Sequence, residues 1–367
     1  MIYFDHNATT PVDERVVDAM LPYLHRFYGN PSSLYRLGRI ARSAIDTARE
    51  QVAALVDAPP AQILFTSGGT EANALAMAAA RRRRLFLSAI EHPAVFENAL
   101  RSAGLYQEIQ TLPVTAAGVF EPIALAALKP CAGDFFSLML ANNETGAIQD
   151  VAGLVQQLQA LDVIVHTDAV QALGKIPVSF RSLGVDLMSL SSHKIYGPKG
   201  AGALVWQPHV HLQPLQFGGD QEQGLRSGTE NVAAIVGFGK AAELARLEMA
   251  QRSTHLKSLR DRLQQRLKTL AGLVIFAEQA SRLPNTVQFG LPGMHGEMLL
   301  MQLDQKNIAV SSGAACATGS EQISPVLAAM GIEHSLAQSA IRVSLGKDNT
   351  EQEIDQFIDA LQALLVR

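Results

Sequence analysis

"VIVHTDAVQALGKIPVSFRSLGVDLMSLSSHK", residues 163–194, contains two apolar runs that each finish in a polar cluster. Both runs, 163–169 and 185–191, read as strands of the buried type, and at or just past their ends stand Asp168 and Gln171, then Ser191, His193 and Lys194. Working outward, "QILFTS", "RLFLSA", "FFSLMLA" and "GALVWQ" read as further strands, while 71–83, 93–103 and 150–161 carry helical spacing. Strand and helix in alternation predict an α/β fold with a largely parallel sheet covered on both faces. The strands end in "TSGGT", "IEHP", "NNETG", "TDAVQ" and "SSHK". Ligands of open α/β sheets bind beyond the carboxyl ends of the strands, so one site is expected to draw on all five.

A chain of 367 residues is long for one core. The expected division is a large domain over residues 13–250 and a smaller α+β domain made of residues 1–12 with 251–367. A helical stretch from about 237 to 271, with a break at Ser253 and Thr254, would link them. Beyond it, "NTVQFGL", "IAVSSGA" and "AIRVSLG" precede a final helix that Thr350 and Glu353 open in capping-box spacing, with Ile354, Phe357, Ile358, Leu361 and Leu365 on one face. With 48% hydrophobic and 17% charged residues the chain has ample material for compact cores. A net charge of -4 gives no general attraction to nucleic acid or anionic membrane. The one basic run, Arg81 to Arg84, reads as the close of a helix, where cations complement the dipole. Two cysteines far apart suggest a reducing compartment, and no leader or spanning segment is apparent, so a cytoplasmic protein is expected.

Single lysines are usually solvated stems. Lys194 differs because Asp168 ends a neighbouring strand: an amine and an anion so placed are what pyridoxal phosphate requires, the one for its aldehyde and the other for its ring nitrogen. "FTSGGTEAN" adds a glycine turn, with Gly69 and Thr70 at a helix start where free N–H groups attract phosphate, a weak signal alone. Cys316 lies in "SSGAACATGS", among small residues only, and reads as a presented thiol rather than a packed one. Cys131 is given no role. His166, His209 and His211 lack a recognised metal-ligand pattern, so no metal is expected.

The motifs "DHNATTPV", "GNPSS", "FTSGGTEAN", "EHPAV", "ANNETGAIQ", "HTDAVQALGKIPV", "SLSSHKIYGPKG", "LRSGTENV", "SSGAAC" and "IRVSLG" together resemble the class V aminotransferase family, and within it the cysteine desulfurases of the NifS/IscS type. The resemblance implies the pyridoxal phosphate-dependent transferase fold of type I, a mostly parallel seven-stranded sheet flanked by helices plus a smaller α+β domain. It implies Lys194 as the lysine bonded to the cofactor, Asp168 at the ring nitrogen, Gln171 at the phenolic oxygen and His92 on the ring face. Gly69, Thr70, Ser191 and His193 would hold the phosphate, joined by Thr229 of a second subunit in a homodimer. Asn143 and Arg342 would grip the substrate carboxylate, and Cys316 would take sulfur from L-cysteine as a persulfide and pass it to an acceptor, an iron–sulfur scaffold or a sulfur carrier. A selenocysteine lyase, another class V enzyme and a non-catalytic partner protein are the rival readings.

Overall fold

The computed structural model describes residues 1–81, 83–312 and 323–365. The chain opens with β1 (Ile2–Tyr3), α1 (Glu14–His25) and α2 (Arg36–Leu55). Strands and helices then alternate: β2 (Ile63–Thr66), α3 (Gly69–Ala79), β3 (Arg84–Ser88), α4 (Pro93–Arg101), β4 (Glu108–Leu112), α5 (Ala124–Leu128), β5 (Phe135–Ser137), α6 (Val151–Leu158), β6 (Ile164–Asp168), α7 (Phe180–Leu183), β7 (Leu187–Ser191) and β8 (Gly202–Trp206). Helix α8 (Val232–Leu267) leads to β9 (Val274–Ile275), β10 (Thr286–Gly290), α9 (Gly296–Asp304), β11 (Ile308–Ala309) and β12 (Ser311–Ser312). The last described elements are α10 (Pro325–Ala329), α11 (His334–Gln338), β13 (Ile341–Ser344) and α12 (Glu351–Leu365).

Seven strands form one sheet in the order β2-β8-β7-β6-β5-β3-β4. Only β8 runs against its neighbours, so the other six direct their carboxyl ends to one edge. Successive side chains point to opposite faces, which explains why these strands are apolar almost throughout. Phe65, Phe86, Phe136, Val165 and Met188 enter the layer under α2, α6 and the first part of α8. Their neighbours Leu64, Leu85, Phe135 and Leu187 enter the layer with α3 and α4. The Phe86 and Phe136 rings stack at 4.5 Å and 7°. The edge strand β4, half exposed and without an apolar run, left no signal in the sequence.

A second, antiparallel sheet has the order β12-β13-β10-β9, and β1 pairs with β11 beside it. Its core joins Val287, Phe289 and Val343 to Ile354, Phe357 and Leu361 of α12 and to Leu256, Leu259 and Leu263 of α8. Helix α8 is therefore common to both cores, Phe238 and Ala242 packing in the first. The expected break at Ser253 and Thr254 does not occur: α8 runs unbroken for 36 residues. Buried Arg252, Leu256 and Leu259 hold that turn from both sides, and packing outweighs the local preference of Ser and Thr for caps. The capping box does form, Thr350 N–H donating to Glu353 Oε2 at 2.9 Å and Glu353 N–H to Thr350 Oγ1 at 3.3 Å. The arginine run does not close a helix as expected, since α3 ends at Ala79 and Arg84 already belongs to β3. Arg84 pairs with Asp134 and Arg83 donates to the Gly133 carbonyl, so these two are tied to the entrance of β5 instead.

Candidate active site

At the carboxyl edge of the large sheet lies a cavity of about 360 Å³. The turn into α3 contributes Gly69, Thr70 and Asn73; the segment after β3 gives His92; that after β5 gives Met139 and Asn143. Strand β6 and its turn supply Asp168, Val170 and Gln171, and β7 with its turn Ser191, His193 and Lys194. Arg342 enters from β13 of the second sheet, and Asn7 and Ala8 from the segment after β1. A larger hollow of about 550 Å³ between α1, α2 and α8 has Tyr23, Arg36, Arg39 and Lys240 on its walls but no convergent acid and base. Chemistry belongs to the smaller cavity.

Lys194 ends a tight turn after β7, and its Nζ donates to the carbonyls of Asn7 and Ala8, the latter at 2.7 Å. Burial, then the charge of Arg342, push this amine down to about 8, against the pull of Asp5 and Asp168. The turn is held firmly. Tyr196 takes a left-handed φ of 68°, unusual for a residue with a side chain, and Thr10 Oγ1 accepts from its N–H at 2.8 Å while Asp13 N–H donates to its carbonyl at 3.0 Å. Asp168 accepts from Asn73 Nδ2 at 2.7 Å and from the Val170 N–H at 2.9 Å, which fixes the carboxylate toward the cavity.

His92 caps α4: its Nδ1 accepts from the Ala94 N–H at 3.0 Å. The neutral ring therefore carries its proton on Nε2. Its pKa is lowered by the surrounding protein and by Lys194, with Asp168 opposing. Arg342 donates to the Asn143 carbonyl at 3.1 Å and to Asp5 Oδ1 at 2.6 Å, while its buried Nε has no partner among the described residues.

Several residues here carried no assignment from sequence. Asp5 pairs with Arg342. Glu91, just before His92, is enclosed and accepts from the Met139 N–H at 2.7 Å; burial and the charge of Asp168 hold it well above the usual carboxylate range. Asn7 stood in the quoted "DHNATT", but nothing in the pattern told its task of joining both sheets: its Nδ2 donates to Thr286 Oγ1 at 2.9 Å and to the Asn143 carbonyl at 3.1 Å. Thr229 is exposed and does not line this chain's cavity. Arg226 pairs with Glu71 at 2.9 Å. His166 bridges Ser137 Oγ at 2.9 Å and Ser189 Oγ at 3.0 Å inside the sheet, and His209 pairs with Asp186. Cys131, left without a role, has its Sγ 3.1 Å from an Arg84 nitrogen. Cys316 lies outside the described residues.

The cavity fits a phosphorylated pyridine aldehyde at both ends. Ser191 Oγ is buried with no partner among the described residues, next to the start of α3, whose first turn has no side-chain cap. A Cβ on Gly69 would stand 2.9 Å from Val170 Cγ2 and 3.9 Å from Ser191 Oγ, so a larger residue would have to displace Val170 beside the positive helix end. At the other end a weakly basic amine and an oriented carboxylate share one wall.

The profile of the family described as Aminotransferase class-V matches residues 2–357. The cysteine desulfurase IscS of Dictyoglomus turgidum is 39% identical over 99% of this chain and 94% of its own length. A cysteine desulfurase of Trichormus azollae is also 39% identical, over 100% of this chain and 93% of its own length. Among solved structures, that of a NifS-like protein from Rickettsia africae has a TM-score of 0.93 at 35% identity, covering 100% of both chains. With agreement over its whole length in sequence and in fold, this chain belongs to the class V aminotransferase family, among the cysteine desulfurases of the NifS and IscS type.

Proposed function

We propose that this protein is a pyridoxal phosphate-dependent cysteine desulfurase, which converts L-cysteine to L-alanine and hands the sulfur, through a persulfide on Cys316, to an acceptor protein. The observation that carries the reading is the Lys194 amine, pushed down to about 8 and facing the same cavity as Asp168 and Arg342. Lys194 would hold the cofactor's aldehyde carbon, Asp168 its ring nitrogen and Gln171 its phenolic oxygen, with His92 against the ring face. Gly69, Thr70, Ser191 and His193 would hold the phosphate, completed by Thr229 from the second subunit of a homodimer. The chemistry that pyridoxal phosphate supplies when bound is withdrawal of electrons from the substrate's α-carbon, which weakens the Cβ–S bond.

The chain's own groups do the rest. Arg342, which lines the cavity with Asn143 beside it, orients the substrate carboxylate through its guanidinium. Lys194 takes and returns protons near neutral pH because its amine is weakly basic, and His92 holds a proton at Nε2 on the cavity wall. The Cys316 thiolate attacks the substrate sulfur: an S–S bond forms as Cβ–S breaks, and the electron pair left on carbon takes a proton to give alanine. The acceptor belongs to iron–sulfur cluster or thio-cofactor assembly, and the setting is the cytoplasm. A division into residues 13–250 and 1–12 with 251–367 goes with this reading, supported by two cores that share α8.

The test is incubation of purified protein with L-cysteine and a reductant. Alanine and sulfide are expected in equal amounts, borohydride should fix the cofactor to the peptide containing Lys194, and Cys316→Ala should keep the yellow colour while losing the persulfide. Persulfide-dependent sulfur transfer by Cys316→Ala at the wild-type rate would overturn the assignment of the nucleophile.

A further inference from the structure

Lys175 is one turn beyond Gln171 and is buried, 6% exposed, where the two sheets meet. Its Nζ donates to Gln171 Oε1 at 2.7 Å and to Asn7 Oδ1 at 2.9 Å. Neither acceptor is a carboxylate. Burial, then the charges of Lys194 and Arg342, hold this amine well below the usual lysine range. A neutral amine has two hydrogens, and the described residues offer it two acceptors, so the site is matched to that form.

The consequence falls on Gln171. An amide side chain can be turned over about its last bond with little change of shape, exchanging its acceptor for its donors. Here two opposed groups forbid the exchange. Lys175 presents N–H to Oε1, and the Asn7 carbonyl accepts from Nε2 at 2.9 Å. The flipped amide would put oxygen against the Asn7 carbonyl, losing that bond outright, and NH2 toward Lys175, where only the amine's lone pair could accept and its N–H would be left without an acceptor. Asn7 cannot yield either, because its Nδ2 is committed to Thr286 and Asn143 and its Oδ1 also accepts from Asn285 Nδ2 at 3.1 Å. Only one of the two hydrogens on Gln171 Nε2 goes to Asn7, and Gln171 lines the cavity.

We infer that Lys175 is a positioning residue: it locks the Gln171 amide with its second Nε2–H turned to the cavity, so that the cofactor's phenolic oxygen meets a donor and never an acceptor. The inference rests on the reading of Gln171 as that oxygen's partner. Its test is a double-mutant cycle read in the visible absorption of protein reconstituted with pyridoxal phosphate. Gln171→Ala shifts the absorption maximum, Lys175→Met shifts it the same way but less, and Lys175→Met made in the Gln171→Ala background adds no shift. An equal shift with and without Gln171, or none with Gln171 present, overturns the role of Lys175. If Gln171→Ala itself leaves the maximum in place, the reading of Gln171 fails instead. Should Lys175→Met not fold, Lys175→Leu, which also removes the donor, takes its place in the cycle. A smaller shift that vanishes without Gln171 then supports the inference, and no shift, or one independent of Gln171, overturns it.

Discussion

Lys194 owes its reactivity to where its amine is kept. Lowering the pKa from 10.5 to about 8 raises the neutral, nucleophilic fraction at pH 7 by roughly two orders of magnitude. The sign follows: below about 8 the amine is mostly protonated and inert toward an aldehyde, above it mostly free. Capture of pyridoxal phosphate by cofactor-free protein, timed by stopped-flow absorbance, is therefore expected to quicken about tenfold per pH unit up to roughly 8 and then level off. A rate still climbing at pH 10 would contradict this. Arg342→Ala should lower kcat/KM for cysteine by roughly 10- to 100-fold, the worth of a hydrogen bond to a charged group, with cofactor content unchanged. Arg342→Lys should recover little of it, since an ammonium lacks the planar fork. Among the side chains of the cavity, those with distinctive chemistry were legible in sequence, because a lysine or acid at a strand end contradicts its apolar surroundings. Asn7 and Lys175 were not, for their partners lie far off in sequence: Asn7 is 168 residues from Lys175 and 279 from Thr286.

The turn between β2 and α3 shows how an element makes a binding site out of backbone. Gly69→Ala places a methyl 2.9 Å from Val170 Cγ2, next to Ser191, and must crowd the corner of the cavity proposed to take the phosphate. The dissociation constant for pyridoxal phosphate, measured by fluorescence titration, is expected to rise by about tenfold, equivalent to one hydrogen bond of average worth. Unchanged affinity would show that the phosphate lies elsewhere. At this scale legibility followed burial. The six strands buried on both faces wrote continuous apolar runs and were found; β4, exposed at the sheet edge, wrote none. The supposed break in α8 failed for the complementary reason, since Ser253 and Thr254 speak only for local preference while their neighbours are clamped by packing.

Over the whole molecule, buried His6 and His166 and half-buried His193 couple folding to pH. Burial pushes His166 down to about 3 and His6 to about 4; burial, Lys194 and Lys199 push His193 to about 4. All three are neutral in the fold, whereas in the unfolded chain they accept protons below their ordinary value of 6.5. Stability is thus complete above about 6.5 and drains as pH falls toward 4. Urea unfolding between pH 7 and 4.5 should show this, and His166→Gln should flatten the slope by up to about 1.4 kcal/mol per pH unit. An unaltered slope would mean that His166 protonates freely inside the sheet. The class of fold and the edge of the sheet at which the cavity lies were readable from strand endings; how the second sheet closes over that edge was not, because closure is a matter of distant pairings.

The distant pairings also impose an order on biosynthesis. Ile2 and Tyr3 pair with Ile308 and Ala309, and Asn7 donates to Ser344, 337 residues onward. Residues 2–7 leave the ribosome roughly 300 residues before the partners they pair with, and find their seats only when those partners have been translated. Since the carbonyls of Asn7 and Ala8 are what steady the Lys194 amine, a nascent chain has no finished socket for the vitamin, and maturation must follow synthesis.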